Sequence, residues 1–389
     1  MSTKGRKPPP SPVVRGRLLF VARVAWVVLA VLTMGLFVAS IPGAYARLHT
    51  VCEGARCDFL QLSSEGVNAL EGLHLSIGFY AAYMMSLEIA FVLGFWATAA
   101  LLFWKRSDDR LVLYASLALV TFGAMQPDTL RWLAEAYPRL DLPVALVYFV
   151  GEVSFFILFC VFPDGRFVPR WTRWAAAVWV VYQLLDSFFP DSPVSPLSWP
   201  LLIDIPLFIG LLVSLVVAQI YRYRRVSGPV ERQQTKWVVF GFAVTIAVVI
   251  AISLIDLVFG LTRPGTTQVL YYLGGATVIY LSALLIPLSI GFAIRRYRLW
   301  DIDFIIKRSV VYGSLTTVLA AVFAITNTLV LPLVVGSILG KEDSSLNAVV
   351  SAVIIAVLFE PLRRRINAGV NRLSDRLADV DDRRNAAPH

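Results

Sequence analysis

The chain has 389 residues, of which 58% are hydrophobic and only 16% charged, and its mean hydropathy is +0.71. Charged residues make up about a quarter of an ordinary soluble domain, so this balance excludes a water-soluble globule. The formal charge is +9, and the basic residues sit in short clusters between apolar runs of about 17 to 29 residues. Each run is long enough to cross a bilayer as one helix, and ten spans of about 20 residues use most of the apolar residues, leaving no separate soluble domain.

The predicted fold class is therefore all-α: a polytopic transmembrane helix bundle of about ten spans. A basic cytoplasmic tail occupies 1–17. The multi-span membrane domain runs over 18–362, with predicted spans at 18–41, 77–104, 111–126, 142–162, 174–189, 201–221, 237–259, 269–294, 310–338 and 346–362, the third and fifth being short. The outside loop 42–76 separates the first two spans, and a cytoplasmic amphipathic helix and tail fill 363–389. With the amino terminus in the cytoplasm, 29 of the Lys and Arg fall on that side and 6 on the other: Arg47, Arg56, Arg131, Arg139, Arg263 and Lys341. The positive-inside rule then places both termini in the cytoplasm, as an even span count requires.

The excess Lys and Arg are expected to anchor loops on an anionic inner leaflet, so the lipid bilayer is the first partner and the charge calls for no nucleic acid. Ala44-Tyr45-Ala46 has the small-x-small form of a signal-peptidase site. The apolar stretch before it, Leu18 to Ile41, is longer than a usual signal core, so an uncleaved first helix is expected. No repeat of 20 to 50 residues is apparent, and low complexity is confined to the start at Lys7-Pro8-Pro9-Pro10.

Cys52 and Cys57 lie in the outside loop and form a candidate disulfide; with His49 nearby, a loosely spaced metal site is the alternative. Cys160 stands alone in an apolar run and reads as a small packed side chain. Six acids fall within or at the ends of spans: Glu88, Glu152, Asp186, Asp204, Asp256 and Glu360. A carboxylate in hydrocarbon is costly and has to face the bundle interior, a partner or water. Glu88 and Glu152 are the deepest and form the candidate intramembrane polar site, read either as a relay or sensing cluster or as hydrogen-bonded packing residues.

Ser314, Thr317, Ala321, Ala324 and Thr328 give the ninth span a small-residue packing face, and Pro287 and Pro332 are expected to kink their helices. No nucleotide-binding, zinc-protease or hydrolase motif occurs, and three His are present in all. The strings Asp301-Ile302-Asp303 and Asp379-Val380-Asp381 read as solvated charge clusters. No cofactor, bound metal or catalytic residue is expected, and the chain reads as no enzyme. In the tail, Ile366, Val370, Leu373, Leu377 and Val380 are spaced 4, 3, 4 and 3 apart, the alternation of a helix seam. Such a seam serves a short coiled coil or an amphipathic helix lying on the membrane, with Arg363, Arg364 and Arg365 at the headgroups.

Four blocks carry a resemblance. They are Phe162-Pro163-Asp164-Gly165-Arg166-Phe167-Val168-Pro169-Arg170-Trp171; Tyr223-Arg224-Arg225-Val226-Ser227 with Arg232-Gln233-Gln234-Thr235-Lys236-Trp237; Arg296-Tyr297-Arg298-Leu299-Trp300-Asp301-Ile302-Asp303 followed by Ile306-Lys307-Arg308-Ser309-Val310-Val311-Tyr312-Gly313; and Leu358-Phe359-Glu360-Pro361-Leu362-Arg363-Arg364-Arg365-Ile366. As an ordered set they resemble the membrane half of bacterial sensor histidine kinases of the type common in Chloroflexi and Actinobacteria. In that family the last span continues into a dimerising histidine domain and an ATP-binding domain. Here 24 residues follow Arg365, and His389 at the extreme end has no helix after it.

The resemblance implies a sensory input module of a two-component type without its kinase output, in a bacterial plasma membrane. Such a module passes a helix displacement through the tenth span as a homodimer or to a separate cytoplasmic signalling partner. Its shared blocks read as cytoplasmic loops: Pro163-Asp164-Gly165 as a tight turn, with Arg166 and Arg170 snorkelling to the headgroups. The alternative is an ion or solute transporter using Glu88 and Glu152, for which no inverted repeat is evident. A lipid-acting enzyme would need a cluster of His, Asp and Arg at one membrane face, which the sequence does not offer.

Overall fold

The computed structural model describes residues 17–52 and 60–295, together with Arg364. The chain divides into two compact units, 1–298 and 299–389. Among the described residues all regular structure is helical, and the one strand-like pairing is an isolated bridge between Cys52 and Ser63.

The helices of the first unit are α1 (Arg17–His49), α2 (Ser64–Gly72), α3 (Ile77–Arg106), α4 (Arg110–Met125), α5 (Thr129–Ala136), α6 (Asp141–Val161), α7 (Thr172–Phe188), α8 (Leu201–Arg225), α9 (Pro229–Phe259), α10 (Thr266–Ala283) and α11 (Leu285–Arg295). Every span expected before residue 295 falls on a helix. By length and composition six of these helical segments can cross a membrane, or seven if α4 and α5 form one bent span. The expected count of ten is thus not reached among the described residues. At 1.5 Å per residue, α7 rises only ~26 Å against the ~30 Å of a hydrocarbon core. The spans expected at 310–338 and 346–362, with their small-residue face and Pro332, lie outside the described residues.

The outside loop expected at 42–76 is largely helical. Helix α1 continues through Pro42 to His49, and α2 occupies part of what remains. A membrane helix tolerates the missing proline donor when neighbouring elements cover the freed carbonyl. Near Pro287 the chain breaks: α10 ends at Ala283 and α11 begins at Leu285. Proline at 287 has no N–H to give to the Ala283 carbonyl, and its ring crowds that oxygen. Asp109 caps α4 by accepting from Leu111 N at 2.9 Å, and Ser76 caps α3 by accepting from Phe79 N at 3.1 Å.

A run of aromatic rings joins the helices at mid-height. Phe37 of α1 meets Trp96 of α3, Phe95 of α3 meets Phe122 of α4, and Phe122 stacks on Phe155 of α6 with centroids 3.6 Å apart. Phe155 and Phe159 then meet Phe242 of α9. Glycine permits the close approach: a Cβ on Gly123 would lie 2.5 Å from Phe95 Cβ, and one on Gly151 2.6 Å from Met125 Sδ.

These contacts also order the ends. Trp26 near the start of α1 stacks on Phe103 near the end of α3, and Gln234 near the start of α9 donates to the Ala293 carbonyl near the end of α11 at 2.9 Å. Gln219 near the end of α8 donates to the Phe159 carbonyl of α6 at 2.6 Å. The residues of the basic clusters therefore gather at one end of the bundle, called here the basic end. The ends of α1 and α5, the start of α10 and all of α2 lie at the far end.

Candidate functional site

The α4–α5 pair creates the most unusual feature of the far half. The chain bends by 66° between the two helices, at Gln126-Pro127-Asp128. Gln126 still has helical dihedrals, but the proline at 127 supplies no donor to the Gly123 carbonyl and its ring crowds that oxygen, so the helix stops and restarts. The restart presents Asp128 and Thr129 inside the bundle, and Thr129 is fully buried.

Glu88 of α3, only 3% exposed, faces this break. Its Oε2 accepts from Thr129 Oγ1 at 2.8 Å, and its Oε1 accepts a longer bond from the Tyr280 hydroxyl of α10 at 3.4 Å. One buried carboxyl group thus joins α3, α5 and α10. A buried carboxyl whose oxygens are both engaged meets the requirement for placing a polar group among apolar helices.

Glu152 lies on α6, half-buried, and does not meet Glu88. Its backbone carbonyl accepts from Trp179 Nε1 of α7 at 3.1 Å. Charged residues at and after the break lie near both acids. Asp128 lies within electrostatic reach of Glu88, and the charge of Arg131, one turn further along α5, reaches both Glu152 and Asp186 of α7. The Arg131 guanidinium sits over the Tyr148 ring at 5.3 Å from its centroid. Asp186 in turn senses Asp204 of α8, which accepts from the Tyr182 hydroxyl at 2.8 Å.

Glu88, Asp128, Arg131, Glu152, Asp186 and Asp204 are thus charged residues of neighbouring helices that lie within electrostatic reach of one another, a series called here the polar lane. At its outer rim Arg47 of α1 pairs with Glu135 of α5 at 2.8 Å. Sequence reading found Glu88 and Glu152 but missed Thr129 and Tyr280, and it counted Arg131, an exposed residue, only as one of the outer side. The available signal was the proline-containing break after an unusually short third span.

The remaining candidates resolve as follows. Cys52 is disulfide-bonded and Cys160 is free and buried, while Cys57 lies outside the described residues. A disulfide removes the Cys52 sulfur from the metal alternative, and no group of three metal-ligand side chains occurs among the described residues. Asp256 closes the turn after α9 by accepting from Thr262 N at 2.8 Å. Ile366, Val370, Leu373, Leu377, Val380 and Glu360 lie outside the described residues.

At the basic end the structure corrects one reading outright. Arg222, counted among the lipid-anchoring basic residues, is 2% exposed. Its Nη1 donates to the carbonyls of Val161 at 3.1 Å and Phe162 at 2.6 Å and pairs with Asp164 Oδ1 at 2.6 Å. Its Nη2 donates to the Cys160 carbonyl at 3.2 Å and to that of Arg166. The guanidinium thus closes the carboxyl end of α6, where carbonyls have no partner within the helix, and fixes the turn that follows. In that turn Gly165 adopts φ +75°, and Arg166 N donates to Asp164 Oδ1 at 3.2 Å. Two of the blocks quoted for the resemblance, 162–171 and the end of α8, are therefore one structural unit.

The chain matches no protein-family model, no curated protein and no solved structure.

Proposed function

We propose that this chain is a multi-pass sensory or signalling input module of a bacterial plasma membrane, with its basic end facing the cytoplasm. The observation that carries the reading is the shared carboxyl of Glu88. Through it the bent helix α5 and the helix pair α10–α11, which leads out of the first unit, hold the same buried group. A disturbance at the far surface acts on α5, which is tied there to α1 by the Arg47–Glu135 pair. Moving α5 breaks the Thr129 bond to Glu88, leaves a buried acceptor unsatisfied, and shifts the balance of contacts on Tyr280. The displacement then passes along α10–α11 toward the helix seam of Ile366, Val370, Leu373, Leu377 and Val380, read by a second copy or by a separate cytoplasmic partner. No catalytic step belongs to this reading.

Two experiments test it. Thr129→Val in the full chain in nanodiscs is expected to raise deuterium uptake in α11, although residue 129 lies on another helix; unchanged uptake there refutes the coupling. Deleting residues 366–389 is expected to abolish partner association and reporter output in cells, and retention of both counts against the seam as the output.

The lane of Glu152, Asp186 and Asp204 favours a second reading, a transporter of ions or solutes that uses membrane-embedded carboxylates. It requires Glu152→Gln to reduce a measurable flux in proteoliposomes, and a wild-type chain without flux ends it.

A further inference from the structure

The junction of α6, α8 and α9 at the basic end contains buried polar groups that no described residue satisfies. Gln219 is 9% exposed, Ser227 7% and Thr235 3%, yet Gln219 Oε1, Ser227 Oγ and Thr235 Oγ1 have no hydrogen-bond partner among the described residues. Three orphans at one place are unusual, because nearly all buried polar side chains find partners.

They belong to one locale. Gln219 and Arg222 are one turn apart on α8 and both bond the end of α6, and Ser227 N donates to the Arg222 carbonyl at 2.9 Å. Thr235 lies two turns before Phe242 on α9, on the same face, and Phe242 packs on Phe159 of α6 with ring centroids 4.4 Å apart. Two turns toward the basic end bring Thr235 level with the turn that Arg222 holds. Between α8 and α9, the Arg232 guanidinium sits over the Tyr223 ring at 5.7 Å.

The charge around the junction is predominantly positive. Arg166, Arg170, Arg224, Arg225 and Arg232 are exposed there. Of the nearby acids, Asp164 is committed to Arg222, and Glu231 accepts from Gly228 N at 2.9 Å. Two hydroxyls and a rim of guanidinium groups suit phosphate oxygens, while the Gln219 carbonyl oxygen needs a donor such as an alcohol.

We infer that this junction binds a phosphate ester bearing free hydroxyls, of the glycerol phosphate class. Two sources present that chemistry at this depth: the headgroup of an anionic phospholipid of the adjacent leaflet, and a free sugar or glycerol phosphate. Basic recesses between spans are established recognition sites for anionic headgroups in general.

The test uses the full chain in nanodiscs, released for native mass spectrometry, with phosphatidylglycerol and phosphatidylcholine as lipid probes and glycerol 3-phosphate as the soluble one. The Ser227→Ala/Thr235→Val double variant removes hydroxyls that bond no described residue, so its thermal stability in probe-free micelles is expected to equal or exceed that of the wild type. Its retention of phosphatidylglycerol, or its response to glycerol 3-phosphate, is expected to fall about tenfold. Arg232→Gln, an exposed change, is expected to weaken the same probe, and Arg139→Gln at the far end to leave it unchanged. Retention of phosphatidylglycerol over phosphatidylcholine identifies the lipid source, and thermal stabilisation by glycerol 3-phosphate identifies the soluble one. Equal behaviour of wild type and both variants toward all three probes overturns the inference, as does retention of phosphatidylcholine to the same extent as phosphatidylglycerol.

Discussion

The bond between Thr129 and Glu88 gives the sharpest quantitative test. Thr129 is fully buried and donates to Glu88 Oε2 at 2.8 Å, so Thr129→Val keeps the shape of the side chain and deletes one hydrogen bond. The carboxyl oxygen left behind has no water to turn to, which costs about 1–3 kcal/mol. Glu88→Leu fills a similar volume but orphans both Thr129 Oγ1 and the Tyr280 hydroxyl, so it is expected to cost a similar amount. In the double variant Thr129 no longer needs an acceptor and Glu88 no longer needs a donor. Its cost is expected to be smaller than the sum of the single changes by about 1–2 kcal/mol, the coupling of two residues in direct contact. Equilibrium unfolding in mixed micelles measures all four species. Additivity to within about 0.5 kcal/mol would show that no energetically meaningful bond joins the two side chains, and the coupling through α5 would fall with it.

Arg222→Met is expected to be among the most damaging single changes, about 3–5 kcal/mol, because it removes the guanidinium donors from the carbonyls at the end of α6, of which Val161 keeps only its bond from Gly165 N and Phe162 only a long one from Gln219, and leaves Asp164 without its ion-pair partner; urea unfolding in micelles reads it. Asp164→Asn, at a side chain that is 25% exposed, is expected to cost less than the arginine change in the same assay. Gly123→Ala forces a methyl group against Phe95 and is expected to lower stability by about 1–3 kcal/mol, whereas Gly72→Ala meets nothing within 4 Å and serves as its control in a thermal melt. Glu135→Gln breaks an ion pair whose side chains are 38% and 58% exposed, so its effect on stability is expected to stay below about 1 kcal/mol and to shrink further as salt is raised.

What the sequence conveyed well follows from the solvent it is built for. Hydrocarbon demands long apolar helices with satisfied backbones, so every span expected before residue 295 coincides with a helix, and even the shortness of the third carried meaning: it ends where Pro127 breaks the chain. The lane was legible only in its acids. Glu88 stands out because a carboxylate is rare in an apolar run, but Thr129 and Tyr280 are ordinary residues in membrane helices, and nothing local announces that they reach Glu88 from 41 and 192 positions away. Arg131 is exposed, and a rule that counts arginines by side has no means of showing that its guanidinium also lies over Tyr148.

Arg222 shows that rule failing outright, and the failure has a consequence for how the basic end is built. Five arginines and lysines lie between residues 222 and 236, and each looks equally suited to the headgroups. Only Arg222 falls one turn beyond Gln219 on the face of α8 that meets the end of α6, and there its forked donors do what a lysine could not, engaging several carbonyls and a carboxylate at once. Burying that guanidinium removes one charge from the lipid-facing count but binds α8, α6 and the 162–166 turn into one body. Gln219 and Ser227, two of the three residues with orphaned oxygens, are bonded into that frame, and a rigid frame is the condition under which a small anionic headgroup gains affinity without an ordering cost. Loosening the frame with Asp164→Asn is therefore expected to weaken phosphatidylglycerol retention even though the carboxylate removed is itself a negative charge. If instead retention rises with that substitution, simple charge attraction governs binding and the frame contributes nothing.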